Sequence, residues 1–208
     1  MGSINRFFNN KKRVYILGLW SADGYHRTSS IGLTTIYPNL AIKFQSFLLE
    51  KFSKERLKLR IYLGRRKKVK TDWFFGEKIN YCLGSKLKNS AYQIYVNSRP
   101  LLRFFRACVN ERKELSKIFI PSFFAGRFDG DGSVSKDRKK DLRIAYSKKK
   151  ETQIDRSLLS KLAFKKIKIY RYKKAGTYVL YISRFSTQSF LEMIQPESLK
   201  LQNLLITP

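Results

Sequence analysis

Leu17-Gly18-Leu19-Trp20-Ser21-Ala22-Asp23-Gly24 and Ala125-Gly126-Arg127-Phe128-Asp129-Gly130-Asp131-Gly132 align without a gap. Each copy holds a glycine, a small residue four positions later, and Asp-Gly at its end. On a helix, positions i and i+4 share a face, so two such faces predict helices whose backbones approach closely. Glycine weakens a helix, and its use here calls for a packing reason. Asp23 and Asp131 then fall in the last turn of their helices, where the helix dipole disfavours a carboxylate. Packing the helices side by side adds like-charge repulsion. Divalent cations remove both costs. With carboxylate oxygen as the donor, the expected ion is Mg2+, with Mn2+ as its substitute. Carboxylates that hold metal in this way are one solution to in-line hydrolysis of a phosphodiester. One copy alone is an ordinary helix end; two copies in register are not. Gly24 and Gly132 suit the left-handed position that closes a helix.

The elements that position these aspartates repeat as well. Residues 14–22 and 118–130 are the apolar segments that lead into the two Asp-Gly pairs. After the first comes a β-branched stretch over 25–37, then a helix over 39–52 opened by Pro38, with Leu40, Phe44, Phe47, Leu48 and Phe52 on one stripe. Residues 56–63 alternate: Leu57, Leu59, Ile61 and Leu63 against Arg56, Lys58, Arg60 and Tyr62. A strand over 92–97 and a helix over 100–109 follow. After the second come a hairpin over 133–147, a helix over 152–164, strands over 166–172 and 178–184, and a helix over 187–205 interrupted at Pro196. Both halves therefore read α-β-β-α-β-β-α. Residues 69–89 have no counterpart in the second half, and the polar stretch 110–117 is the expected junction.

Lys and Arg number 44 against 15 Asp and Glu, a net charge of +29 over 208 residues. Both halves share the excess, so it is not a basic tail on a neutral domain. Such self-repulsion calls for a polyanionic partner. Hydrophobic residues make up 43%, enough for real cores, which excludes a chain that is disordered throughout. With 16 Phe, 12 Tyr and 2 Trp beside that charge, nucleic acid is the favoured partner. No apolar run approaches the roughly 18 residues of a membrane span, and no secretory leader is expected. Cys82 and Cys108 with a single histidine exclude a disulfide framework and a Cys/His zinc site. Those two cysteines, Trp20 and Trp73 read as packing residues, and His26 as exposed or facing a nucleic acid rather than as a base.

The segments 16–24 and 124–132 resemble the two motifs of single-chain LAGLIDADG homing endonucleases. The likeness extends from Val14 onward through motif spacing and element order. Ser21 stands where that family often has Asp, a position that is not the metal ligand. The resemblance implies that Asp23 and Asp131 are the catalytic metal ligands. It implies an α+β fold of two pseudo-twofold αββαββα halves, 1–112 and 113–208, each laying a saddle-shaped antiparallel sheet on double-stranded DNA. It implies a monomer that cuts both strands of a long asymmetric site. A strand of about 10 residues spans about 33 Å, or about 10 base pairs, so two halves cover about 20.

In such a sheet Arg56, Lys58, Arg60 and Tyr62 form one polar stripe, and Lys166, Lys168, Tyr170 and Tyr172 a second, opposite a face that Arg171 makes less apolar. Arg143 joins them as a DNA-binding residue. Arg65 and Arg66, with Lys136, Arg138 and Lys139, sit in turns and are expected at phosphates. The family often places a lysine near the scissile phosphate, which makes Lys113 and Lys200 the supporting catalytic candidates; each has a plainer reading as surface charge. Two alternatives remain open: an RNA-binding intron maturase on the same fold, and a non-enzymatic basic nucleic-acid-binding protein. Retention of both acids favours cleavage. The expected setting is intracellular, and the wealth of Lys, Phe, Tyr, Ile and Asn points to an AT-rich genome such as that of a mitochondrion or chloroplast.

Overall fold

A computed structural model of the protein describes residues 3–27, 29–65, 69, 71–76, 78–84, 87–135 and 141–206, with side chains to Gln202. The elements run α1 (Ile4–Phe8), α2 (Lys11–Asp23), β1 (Gly24–Tyr25), β2 (Ser30–Thr35), α3 (Pro38–Leu49), β3 (Lys58–Leu63), β4 (Lys78–Leu83), β5 (Ala91–Asn97) and α4 (Arg99–Glu111). There follow α5 (Ile120–Asp131), β6 (Gly132–Val134), β7 (Leu142–Tyr146), α6 (Lys149–Lys161), β8 (Ile167–Tyr172), β9 (Thr177–Ile182), α7 (Arg184–Ile194) and α8 (Leu199–Ile206). The doubled α-β-β-α-β-β-α order is present. The stretch without a counterpart supplies β4, and Pro196 separates α7 from α8. Among the described residues no helix is long and apolar enough to cross a membrane.

The two repeats are repeats of element order; compactness groups the chain differently. Residues up to Ala22 cluster with those from Ala107 on, and Asp23–Arg106 form the other unit.

In the unit Asp23–Arg106 the sheet order is β1-β2-β5-β3-β4. Its pairs are antiparallel except β3 with β4, which run parallel. Pro38 opens α3 at its first turn, as its missing N–H permits. Leu40, Phe44, Phe47 and Leu48 of that helix are buried, as are Ile31, Leu33, Leu59, Ile61, Ile94 and Val96 of the strands. Phe47 packs on Phe105 with ring centroids 5.5 Å apart. The alternation read over 56–63 holds from Lys58 on, but Arg56 lies in a 3-10 turn, Lys54–Arg56. There its guanidinium donates to the Asn97 carbonyl at 3.1 Å and lies over the Phe52 ring.

The other unit carries an antiparallel sheet of order β6-β7-β9-β8. Phe190 of α7 sits among Phe124, Phe128 and Phe164, with centroids 5.9, 6.5 and 6.0 Å away. The junction carries a buried anchor: Arg112 is 2% exposed, and its Nε donates to Asp155 at 2.7 Å. In α2 every residue from Val14 to Trp20 is buried, so this helix is core on all sides. It lies against α5 at the two motif glycines. A Cβ on Gly18 would fall 2.0 Å from the Phe123 carbonyl oxygen, and one on Gly126 2.0 Å from that of Tyr15. No side chain larger than hydrogen fits either place.

The Asp-Gly glycines do not take the expected left-handed conformation. Gly132 has φ −83° and ψ 147°, and among the described glycines Gly176 has positive φ. The chain passes straight from helix into strand, so Gly24 opens β1 and Gly132 opens β6. Gly132 is glycine for room: a Cβ there would meet the Phe128 ring at 2.2 Å.

Gly126→Val should therefore cost about 3 kcal/mol or more in urea unfolding, because the atom it meets is backbone and cannot rotate away. Gly176→Asn, at φ 62° with nothing within 4 Å of an added Cβ, should cost no more than about 1 kcal/mol. Equal costs at the two positions would refute the close-approach account.

Candidate active site and nucleic-acid interface

Both motif aspartates stand where expected, at the last residue of their helices: Asp23 ends α2 and Asp131 ends α5. The Asp131 side chain is 31% exposed. Burial pushes its carboxyl above the ordinary range, against the pull of Arg127 and Lys200. Arg127 Nη2 lies 3.5 Å from Asp131 Oδ2. Lys200 comes from α8 and folds over the end of α5. Its ammonium donates to the Gly132 carbonyl at 2.9 Å and to that of Phe128 at 3.3 Å. The orphan carbonyls of a helix end favour such a cation. Lys200 is thus brought to the acid. Lys113 is exposed in the 3-10 turn Arg112–Glu114 and pairs with Glu114 at 3.7 Å.

Asp129 has a separate task that sequence reasoning did not assign. Its carboxylate is fully buried and accepts from Tyr15 Oη at 2.6 Å and Ser198 Oγ at 2.5 Å. It also accepts from the backbone N–H of Leu199 at 2.8 Å and of Lys200 at 3.2 Å. Those amides are the first of α8, so Asp129 caps that helix from outside. Burial pushes the Asp129 carboxyl up, and these four bonds oppose the shift. The Tyr15 hydroxyl is itself pushed well up by burial and by Asp129, so it stays a donor. Seating α8 in this way delivers Lys200. The signal in sequence was the extra acid of the second motif, which Ser21 replaces in the first.

The strand stripes meet in register. In the first sheet Lys58, Arg60 and Tyr62 share the face opposite α3. Arg60 pairs with Gln93 and Asn80, Gln93 with Thr34, and Lys58 with Tyr95 and Lys78. Gln93 is only 4% exposed, and its amide donates to Thr34 Oγ1 at 3.1 Å. In the second sheet Arg143, Tyr181 and Lys168 form one row, and Ala145, Val179 and Tyr170 the next. Tyr170 and Tyr181 meet edge to face at 5.5 Å. Tyr172 is exposed at the end of β8. Tyr181, Gln93 and Tyr95 join these faces only through strand register, which one sequence does not reveal.

Lys166 departs from its stripe. Its φ is 59°, and with Ala163 at 62° it turns the chain out of α6 before β8 begins. Its ammonium lies over the Phe185 ring. Arg65 is exposed beyond β3, while Arg66, Lys136, Arg138 and Lys139 lie outside the described residues. His26 is exposed, its Nδ1 3.1 Å from the Gly24 carbonyl oxygen. Cys108 is buried, its thiol pushed up to about 12. Cys82 lies half-buried on β4.

The donors at the end of α5 suit a hard cation. The ligand atoms at hand are carboxylate oxygens, a donor type that suits a hard divalent cation such as Mg2+; among the described residues no three His, Cys, Asp or Glu gather into a cage.

The model of the LAGLIDADG-like domain matches residues 10–108 and 119–195. The crystal structure of I-DmoI with DNA and Ca superposes with a TM-score of 0.61 at 20% identity, covering 88% of each chain. I-DmoI with DNA and Mn gives 0.60 at 20% identity, over 88% of this chain and 96% of that one. Full-length DUF199/WhiA from Thermatoga maritima gives 0.57 at 15% identity, over 98% of this chain and 64% of that one. No curated protein matches the sequence.

Asp129→Ala should lower the unfolding free energy by about 3 kcal/mol, since it strands two buried hydroxyls and two part-buried amides. Hydrogen exchange at Leu199 and Lys200 should rise with it. Protection there unchanged from the native protein would show that α8 is held by other contacts.

Proposed function

The chain belongs to the family of LAGLIDADG-like domains, and on that premise we propose that it is a site-specific double-strand DNA endonuclease. It binds a long asymmetric site as a monomer, its halves 1–112 and 113–208 each reading one side. The observation that carries the reading is the pair of motif helices, each ending in an aspartate, in a chain of net charge +29. I-DmoI, solved with DNA and with Mn or Ca, supports it by fold. WhiA shares that fold, so the assignment of an activity rests on the carboxylates rather than on the superposition.

In this reading Asp23 and Asp131 are the residues that would hold a divalent cation, Mg2+ or Mn2+. When bound, the cation supplies Lewis-acid polarisation of the phosphate and an acidified water. The chain's own residues do the rest. Asp131 orients its ligand oxygens toward the backbone of the DNA. Lys200, at the end of α5, is placed to offset charge that gathers on the phosphate oxygens. The bonds from Asp129 keep α8, and with it Lys200, in place. Arg60, Lys168 and Tyr170, in mid-strand, face base edges, where the major groove offers a distinct donor and acceptor pattern for each pair. Arg65, in a turn, meets phosphate.

Selection of cleaved sites from a randomised plasmid library under Mg2+ tests the reading directly. Asp23→Asn or Asp131→Asn should abolish double-strand cleavage and leave binding to the selected site within about threefold. Binding without any cleavage by the native protein would favour the maturase or the plain nucleic-acid-binding reading instead.

The sheets should divide specificity from affinity. Arg60→Ala should cost roughly 1–3 kcal/mol for one preferred base and relax selection at that position. Arg65→Ala should weaken all sequences alike and reduce the salt slope by about 1. Titration against single-base variants at two salt concentrations separates the two. A uniform loss for Arg60→Ala would mean that β3 does not face the bases.

A further inference from the structure

Arg127 is a buried cation in the middle of a motif helix, with 2% of its surface exposed. Its guanidinium donates to the Ser21 carbonyl, near the end of α2, and lies 3.4 Å from the Ser21 hydroxyl. Nη2 donates to the Ala145 carbonyl of β7 at 2.8 Å, and the Tyr146 ring lies 4.2 Å beneath the plane. Nε has no hydrogen-bond partner among the described residues. Burying a charge with one donor unmet is costly unless a counter-charge is close. Asp155, the neighbouring buried carboxylate, is engaged by Arg112 at 2.7 Å and by Tyr146 Oη at 2.8 Å. Asp155 and Asp131 both favour the charged guanidinium, and Asp131, at 3.5 Å, is the carboxylate within ion-pair distance of it.

Packing alone does not call for this arginine. The matching position of the first motif is Leu19, which is fully buried without any charge. Apolar side chains in place of a whole buried ion pair are often neutral or stabilising. What leucine cannot do is hold a carboxylate. The fork of Arg127 is fixed at Ser21, at Ala145 and against the Tyr146 ring, and Nη2, the nitrogen that donates to Ala145, is also the one that faces Asp131 at 3.5 Å.

We propose that Arg127 is the positioning residue of the second motif, fixing the Asp131 carboxylate in the orientation that receives a divalent cation and tying it to the end of α2. The inference rests on reading Asp131 as a metal ligand. Two effects of Arg127 oppose each other. Its charge repels an incoming cation, whereas a fixed, ionised carboxylate attracts one more strongly than a mobile one. Orientation prevails, because loss of a partner that orients a metal ligand weakens binding about 10- to 100-fold.

The test is Mn2+ binding read by electron paramagnetic resonance in the presence of a short mixed-sequence duplex. It compares the native protein with Arg127→Leu, Arg127→Lys and Asp131→Asn, with thermal unfolding of each in metal-free buffer. Arg127→Leu leaves the Ser21 and Ala145 carbonyls unmet and should melt below the native temperature, and where folded it should bind Mn2+ at the affected site about 10- to 100-fold more weakly. Arg127→Lys, which keeps the charge and loses the fork, should fall between. Arg127→Leu that binds Mn2+ as tightly as the native protein, or more tightly, overturns the proposal. If Arg127→Leu does not fold, Arg127→Lys with native Mn2+ affinity overturns it equally. Asp131→Asn separates the two levels. No effect of Asp131→Asn sinks the metal-site reading and this inference with it. Loss of Mn2+ in Asp131→Asn beside native binding in Arg127→Leu sinks this inference alone.

Discussion

Everything at the second motif depends on two helices whose backbones touch. At Gly18 and Gly126 the added carbon of any other residue would overlap a carbonyl oxygen of the facing helix. That contact brings Tyr15 within hydrogen-bond reach of Asp129 and Ser21 within reach of Arg127. The first motif helix, up to Ala22, clusters with the second repeat.

Around this contact the fold places charges that a simple core would omit. Arg127, Asp129, Arg112 and Asp155 are all nearly or fully buried. In a medium of low polarity each must be met by partners, and each is apart from Nε of Arg127. Asp129 receives four donors; Asp155 receives Arg112 and the Tyr146 hydroxyl. Their effect is to fix the end of α5 from three sides: α2, β7 and α8. In the reading proposed for Asp131, such a frame sets its orientation before substrate arrives, so that it need not be established during the reaction.

The sheets show the other use of charge. One face of each is apolar and covered by helices; the opposite face gathers lysine, arginine and tyrosine in cross-strand rows. Tyr170 against Tyr181 and Gln93 against Thr34 stiffen these faces from within. A chain of net charge +29 folds because, Arg112 and Arg127 apart, the described cations stay on such faces, helix surfaces and turns, where water screens them.

Sequence by itself determined the doubled element order, the helix that Pro38 opens, the alternation from Lys58 to Tyr62, and the place of Asp23 and Asp131 at their helix ends. These follow from local periodicity and from a pattern present twice, which need no knowledge of what lies opposite. The tertiary structure alone decided the rest. Gly24 and Gly132 enter strands directly rather than turning left-handed, because β1 and β6 pair at once with β2 and β7. Arg56 and Lys166 leave their stripes, since a 3-10 turn and a positive φ set where β3 and β8 begin. Between Lys113 and Lys200, only the capping of α8 by Asp129 shows which one reaches the motif. Arg127 looked like any helix residue in the sequence; its three acceptors come from α2, β7 and its own helix end, and a set gathered from distant parts of the chain leaves no local trace.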